Sequence, residues 1–367
     1  MYGLQSILDP CFVALYGGVT LLTLVAALYL LLRRSNIIAP EVSSSRVLRR
    51  WTAAFFLASA LSHVLWFVLG EHWLTDDRLV RNILVIMLDE VTLVPLVMAV
   101  LLAMLQDRHR PVWPWWLAQL PVLVLCGMGM VQRNWCVGYT LAHYWQLAVI
   151  VTFVAYYVFA LRHYGRWLLD NFADLEHKEV WQSLVIIVAI FVTYSIYSTN
   201  AGELYREYMA QVVSILIFII LLWRVETLHD LSMPSPQPLH VADGTGVAHL
   251  LRERCEEPEL YLHHGLTLAD LSAAVGISRG ALSEWFIEHG DRNFNGYIHR
   301  LRIDHFVRLY GEAVRDGRPF TVFSLARQCG YRNYLRFSTA FRRRMDCSLT
   351  SWTKRYTLSA IGEHLPD

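Results

Sequence analysis

The chain has 367 residues, of which 55% are hydrophobic and 17% charged, and its formal net charge is +1. Such a composition is too apolar for a purely water-soluble protein, so part of the chain is expected in lipid. The small net charge conceals a division: nearly all the apolar residues precede Trp223, while Leu250 to Arg355 holds 17 Arg and Lys against 12 Asp and Glu. That local excess suits an anionic partner. The six cysteines, Cys11, Cys126, Cys136, Cys255, Cys329 and Cys347, form no CxxC pair and have no His at zinc spacing, which argues against a disulfide framework and a structural metal.

A membrane-crossing helix needs about 20 mainly apolar residues, because the hydrocarbon layer is about 30 Å thick and leaves no backbone polar group unpaired. Seven stretches meet this requirement: Cys11 to Leu32, Trp51 to Leu69, Ile83 to Leu105, Val112 to Val131, Leu141 to Leu161, Val180 to Tyr197 and Tyr208 to Trp223. The first is no cleavable signal peptide, since no Lys or Arg precedes it and its apolar run exceeds an h-region. One set of connecting loops carries Arg33, Arg34, Arg46, Arg49, Arg50, Arg108, Arg110, Arg162, Arg166 and Lys178. The other, with the N-terminal segment, carries Arg78, Arg81, Arg133 and Arg206. Ten against four predicts an N-terminus outside and a C-terminal part in the cytoplasm. Trp51, Trp113, Trp115, Trp116, Tyr139, Trp181 and Trp223 at stretch ends fit interfacial belts.

Ionisable and amide groups inside such stretches usually face the bundle interior or a wet cavity. Asp89 and Glu90 fall in the outer half of the third stretch, with His63, His143 and Asn200 toward the outer ends of theirs. They would line a pocket for a ligand of unknown identity open to the outside. The alternative reading makes them interhelical hydrogen bonds or headgroup-level residues.

Residues 230–246, with Pro234, Pro236 and Pro238, read as an extended linker that divides a membrane domain, 1–229, from a soluble one, 247–367. Within the latter, Leu268, Leu271 and Val275 have the spacing of a buried helix face, Gly276 marks a sharp turn and Ser278 is placed to cap a second helix. Leu282, Trp285 and Phe286 then point inward, leaving Ser278, Arg279 and Ser283 accessible. The pattern recurs with Val322, Leu325 and Ala326, then Gly330, then Phe337, Ala340 and Phe341. This second outer face carries Arg332, Asn333, Tyr334, Arg336, Thr339 and Arg343, with Arg342 and Arg344 beside it. Arginines so placed can bond guanine edges or phosphates; the competing reading is a solvated basic helix face.

Three segments, "LTLADLSAAVGISRGALSEWF", "FNGYIHRLRID" and "SLARQCGYRNYLRFSTAFRRR", make Leu266 to Lys354 resemble the DNA-binding domain of the AraC/XylS family of bacterial transcription regulators. The seven apolar stretches and the resemblance together predict an all-α chain, a seven-helix transmembrane bundle followed by a domain whose two helix-turn-helix motifs, at 266–289 and 320–344, are joined by a linking helix at 294–313. The resemblance implies recognition helices in successive major-groove segments, with Tyr297, Ile298 and Arg302 as structural residues of the linking helix. Asp291 and Asp346 stand where the family has glycine, Leu349 where it has proline and Phe306 where it has alanine.

Together these readings predict a regulator in the bacterial inner membrane that joins a signal to promoter binding, with no cofactor, metal or catalytic group. Double-stranded DNA and the lipid bilayer are its expected partners; a homodimer and RNA polymerase fit the same role, although no heptad seam is legible. Two competitors are a transporter or membrane enzyme whose C-terminal domain controls expression, resting on Asp89 and Glu90, and a helix-turn-helix pair turned to protein docking.

Overall fold

The computed structural model describes residues 9–33, 35–40, 42–70, 78–132, 135–175, 178, 180–182, 185, 188, 203–231 and 244–362. Among these every regular element is a helix, apart from one isolated antiparallel bridge between Phe172 and Thr267. It divides into two compact units, the first comprising Met1–Gly165 and His177–Ser232, the second Arg166–Glu176 and Met233–Asp367.

The first unit holds α1 (Pro10–Leu32), α2 (Arg46–Gly70), α3 (Arg78–Met104), α4 (Trp113–Leu117), α5 (Leu120–Gln132), most of α6 (Trp135–Asn171) and α7 (Glu203–Thr227). Here α1 packs on α2 and α2 on α3, while α7 lies against α1 and α2, and α5 against α3. Among the described residues, four helical stretches are long and apolar enough to cross a membrane: Pro10–Leu32, Met87–Met104, Thr140–Asn171 and Tyr208–Thr227. The seven expected stretches are therefore carried unevenly. Trp51 to Leu69 lies within α2, and most of Val180 to Tyr197 lies outside the described residues. Val112 to Val131 is not one helix. Ala118 N still makes a helical bond to Pro114 O (3.0 Å), but Gln119 N bonds Trp116 O (3.1 Å), three residues back, and this tighter turn closes α4 before α5 begins.

Two clusters of buried charge in this unit are paired. The Glu226 carboxylate at the end of α7 accepts from Tyr29 Oη at 2.8 Å, Ile38 N at 3.2 Å and Arg49 Nη1 at 3.3 Å. Arg49 also donates to Asn36 Oδ1 at 2.9 Å. Asp107 holds Arg110 in a two-pronged pair at 2.7 and 2.9 Å. A buried charge persists only where partners replace its lost hydration, and these groups have them.

The second unit contains α8 (Gly244–Leu251), α9 (Leu268–Val275), α10 (Arg279–Glu288), α11 (Phe294–Arg315), α12 (Val322–Gln328), α13 (Tyr334–Met345) and α14 (Leu349–Gly362). Two apolar cores organise it. Leu268, Leu271, Val275, Leu282 and Phe286 of α9 and α10 close on Phe294, Tyr297 and Ile298, from the start of α11. Leu325, Ala326, Cys329, Phe337 and Phe341 close on Ile303, Phe306 and Tyr310, from its remainder, and Leu349 and Trp352 of α14 complete that core. The 22-residue α11, about 33 Å long at 1.5 Å per residue, thus gives one side chain set to each core. Phe306, at a position where the resembled family has alanine, is fully buried here and meets Phe337 with ring centroids 4.7 Å apart.

Candidate nucleic-acid interface

The same local chemistry builds both helix pairs. Thr267 caps α9 in a reciprocal box: Asp270 N donates to Thr267 Oγ1 at 3.1 Å and Thr267 N donates to Asp270 Oδ2 at 3.0 Å. Thr321 and Ser324 repeat this at α12, at 3.0 and 3.2 Å. Each box meets two of the N–H groups a helix start leaves unpaired. Nine positions beyond each threonine a glycine enters the left-handed region, Gly276 at φ +78° and Gly330 at φ +84°. Only glycine does so without steric cost, and the chain turns there. Ser278 then caps α10 by accepting from Ala281 N at 3.3 Å, and Asn333 caps α13 by accepting from Leu335 N at 2.9 Å and Arg336 N at 3.4 Å. Each unit is helix, turn, helix, with the second helix held by buried aromatics on its inner side.

The outer faces differ. On α13 and in the two residues before it, Arg332, Asn333, Tyr334, Thr339, Arg342 and Arg343 are exposed and Arg336 is half-buried. No acidic residue lies within that helix. On α10, Ser278, Arg279 and Ser283 are half-buried, and the exposed Glu284 and Glu288 oppose the single arginine. Attraction for a polyanion therefore concentrates on the second motif. Arg344 is drawn aside by Asp304, 3.3 Å from its Nη2. The caps also qualify two expected contacts. Ser278 and Asn333 spend an acceptor oxygen on their own helices, leaving the Ser278 hydroxyl hydrogen and the Asn333 amide NH2 to meet a base. One residue escaped the sequence reading: Leu335 is 74% exposed at the start of α13, where an apolar side chain can meet a thymine methyl. Its signal was a leucine two places after a helix cap, off the inward stripe of Phe337 and Phe341.

Between the motifs lies a buried polar cluster. Arg302 of α11, fully buried, donates through Nε to Tyr261 O at 2.7 Å and through Nη2 to His263 O at 2.9 Å, and it meets both carboxylate oxygens of Asp174 at 3.1 and 3.4 Å. Burial pushes the Asp174 carboxyl upward, but Arg302, the Gly265 N–H and His264 outweigh it and hold it below the ordinary range. On the same helix, His299 Nδ1 lies 2.7 Å from the hydroxyl of the buried Tyr331. Desolvation first, then Arg302, lowers His299 to about 4, with Arg343 and Arg336 adding to the effect and Asp174 opposing it. The ring is thus neutral at pH 7 and shares a hydrogen bond with the Tyr331 hydroxyl. An unfolded histidine binds its proton near pH 6.5, so the stability tied to neutral His299 is complete above that pH and is lost progressively toward pH 4. Unfolding by urea at pH 7 and pH 4.5 should show a loss of up to about 2 kcal/mol that His299→Gln removes.

The first unit places the expected pocket residues less compactly. Asp89 accepts from Ser62 Oγ, and His63 bonds Ser59 O through Nδ1 at 2.8 Å and Gln211 Oε1 through Nε2 at 3.1 Å, while Tyr16 donates to the His63 carbonyl. Glu90 is half-buried on α3, His143 is exposed on α6 and Asn200 lies outside the described residues. The described contacts form an interhelical seam whose hydroxyl and amide members, Tyr16, Ser62 and Gln211, carry no charge to mark them in the sequence.

The second unit thus carries a double helix-turn-helix of the DNA-binding class. A family model described as a helix-turn-helix domain matches residues 271–355, about a quarter of the chain, and supports an AraC-type DNA-binding domain there. No curated protein and no solved structure matches the chain.

Proposed function

We propose that this protein is a membrane-integral transcription regulator that binds promoter DNA sequence-specifically and couples a signal in or at the membrane to that binding. The observation that carries the reading is the coexistence of two features in one chain: paired helix-turn-helix motifs, the second with an arginine-rich outer helix, and four helices long and apolar enough to cross a bilayer. The site we assign to DNA comprises Ser278, Arg279, Ser283, Arg332, Asn333, Tyr334, Arg336, Thr339, Arg342 and Arg343. In this reading the chain sits in a bacterial cytoplasmic membrane, with its first residues outside and its DNA-binding domain in the cytoplasm, as the uneven spread of loop arginines favours. The domains are the membrane part, 1–229, the linker, 230–246, and the DNA-binding part, 247–367. Pairing of two copies would add base contacts, and RNA polymerase would be the recipient of the output. No step in this reading is catalytic.

The reading is tested by cross-linking DNA to the full-length, C-terminally tagged protein in cells, recovering it from the membrane fraction and mapping the attached fragments. Discrete genomic sites are expected. Random recovery, or digestion of the tag by protease added to intact cells, overturns it.

A further inference from the structure

The DNA-binding unit includes a piece of chain far from the motifs it serves. Asp174 stands 128 residues before Arg302, yet its carboxylate supplies the counter-charge to that fully buried guanidinium. It is 7% exposed, and its Oδ2 also accepts from Gly265 N at 2.9 Å and lies 3.4 Å from His264 Nδ1. The two residues before it are bound as firmly. Ala173 N donates to Leu266 O at 3.1 Å, and the Asn295 amide donates to Phe172 O at 3.1 Å and Ala173 O at 2.8 Å. Ala173 itself is buried in the first core.

What Arg302 touches gives this clasp its meaning. Its guanidinium bonds the carbonyls of Tyr261 and His263, in the connection that leads into the first motif. The same group lies 5.6 Å from the ring centroid of Tyr331, in the turn of the second motif. A Cβ on Gly330 would stand 3.1 Å from Arg302 Nε, so that turn presses against the guanidinium. One buried cation therefore touches the approach to one motif and the turn of the other, from a helix that enters both cores. A guanidinium without its carboxylate does not keep a dry position between them, because an unpaired buried charge seeks water.

We propose that Asp174 is a positioning residue for DNA reading: by holding Arg302 in place, the clasp 172–174 sets the angle and separation of the two recognition helices, and so the spacing between the two base sets the protein reads. The inference rests on the DNA-binding reading above. Asp174 is buried away from both recognition helices' outer faces, and it sits in a stretch that no helix-turn-helix pattern covers, since the family match begins at residue 271. Phe172 follows α6 directly in the chain.

The experiment uses full-length protein in lipid nanodiscs to select bound duplexes from a randomised DNA pool. The wild type is expected to enrich a motif of two parts at one separation. Asp174→Asn should enrich both parts but spread them over several separations, and should bind the wild-type motif on the order of tenfold more weakly, the loss of one charge-assisted contact. Asp174→Glu should restore most of the spacing preference. A second variant guards against unfolding: Asp174→Leu with Arg302→Met removes both charges and leaves neither unpaired. With helix content unchanged by circular dichroism, it should also relax the separation. If Asp174→Asn and the double variant select the wild-type separation with wild-type affinity, the positioning role is wrong. If the wild type itself enriches no motif, the DNA-binding reading has failed first, an outcome distinct from the other.

Discussion

Arg336→Ala together with Arg343→Ala, in the full-length protein, is expected to weaken binding to its selected DNA by about a hundredfold or more. Each lost base contact of this kind costs about 1–3 kcal/mol, and each lost phosphate contact lowers the slope of log affinity against log salt by about one. These two residues are chosen because α13 has no acidic group to offset them, and because Arg344 is partly occupied by Asp304. Arg344→Ala should therefore cost less than Arg343→Ala. On the first motif the expectation differs in kind. Arg279→Ala should reduce discrimination between sequences with a smaller change in salt slope, since Glu284 and Glu288 already cancel most of the attraction of α10. Titrations of a labelled duplex at several salt concentrations measure both quantities. Unchanged affinity and slope in the Arg336/Arg343 variant would remove α13 from the interface.

Gly330→Ala should be the most damaging single methyl in the DNA-binding unit. Its φ of +84° charges an L-residue about 1–2 kcal/mol before any contact is considered. The added Cβ would stand 2.5 Å from Leu262 O, a backbone atom, and 3.1 Å from Arg302 Nε. Neither neighbour gives way cheaply, because the first belongs to the main chain and the second is fixed by Tyr261, His263 and Asp174. A total of about 3 kcal/mol or more follows, which for a unit of this size lowers Tm by roughly 12 °C or more. Gly317→Ala gives the comparison, since its φ is +61° but nothing lies within 4 Å of its Cβ, so only backbone strain of about 1 kcal/mol remains. Gly276→Ala falls close to Gly317→Ala, its nearest neighbour being the flexible end of Arg254 at 3.8 Å. Thermal unfolding of the three variants ranks them; equal losses at Gly330 and Gly317 would show that the close approach to Leu262 carries no weight.

Much of the second unit was legible in the residues because its determinants are local. Gly276 and Ser278, then Gly330, announce turns and a helix start through groups only a few positions apart, and the inward stripes of Leu282 with Phe286 and of Phe337 with Phe341 follow from helical period. The apolar stretches of the first unit are likewise visible one at a time, since transfer from water depends on composition over about 20 residues. Their division into helices is less so: Val112 to Val131 reads as a single run, but backbone bonding closes one helix at Leu117 and opens another at Leu120. His63 and Asp89 stood out as costly charges, whereas their partners Gln211 and Ser62 carried no comparable mark.

The amino-acid sequence by itself determined the apolar and basic halves of the chain, the two helix-turn-helix patterns and the arginines between them and solvent. Tertiary structure alone decided that Arg302 pairs with Asp174 and that α11 serves two cores. Caps, turns and hydropathy act over a few residues and leave their signature in order and spacing. An ion pair across 128 positions leaves none, because a carboxylate and a guanidinium attract wherever they stand, and only packing brings these two together out of water.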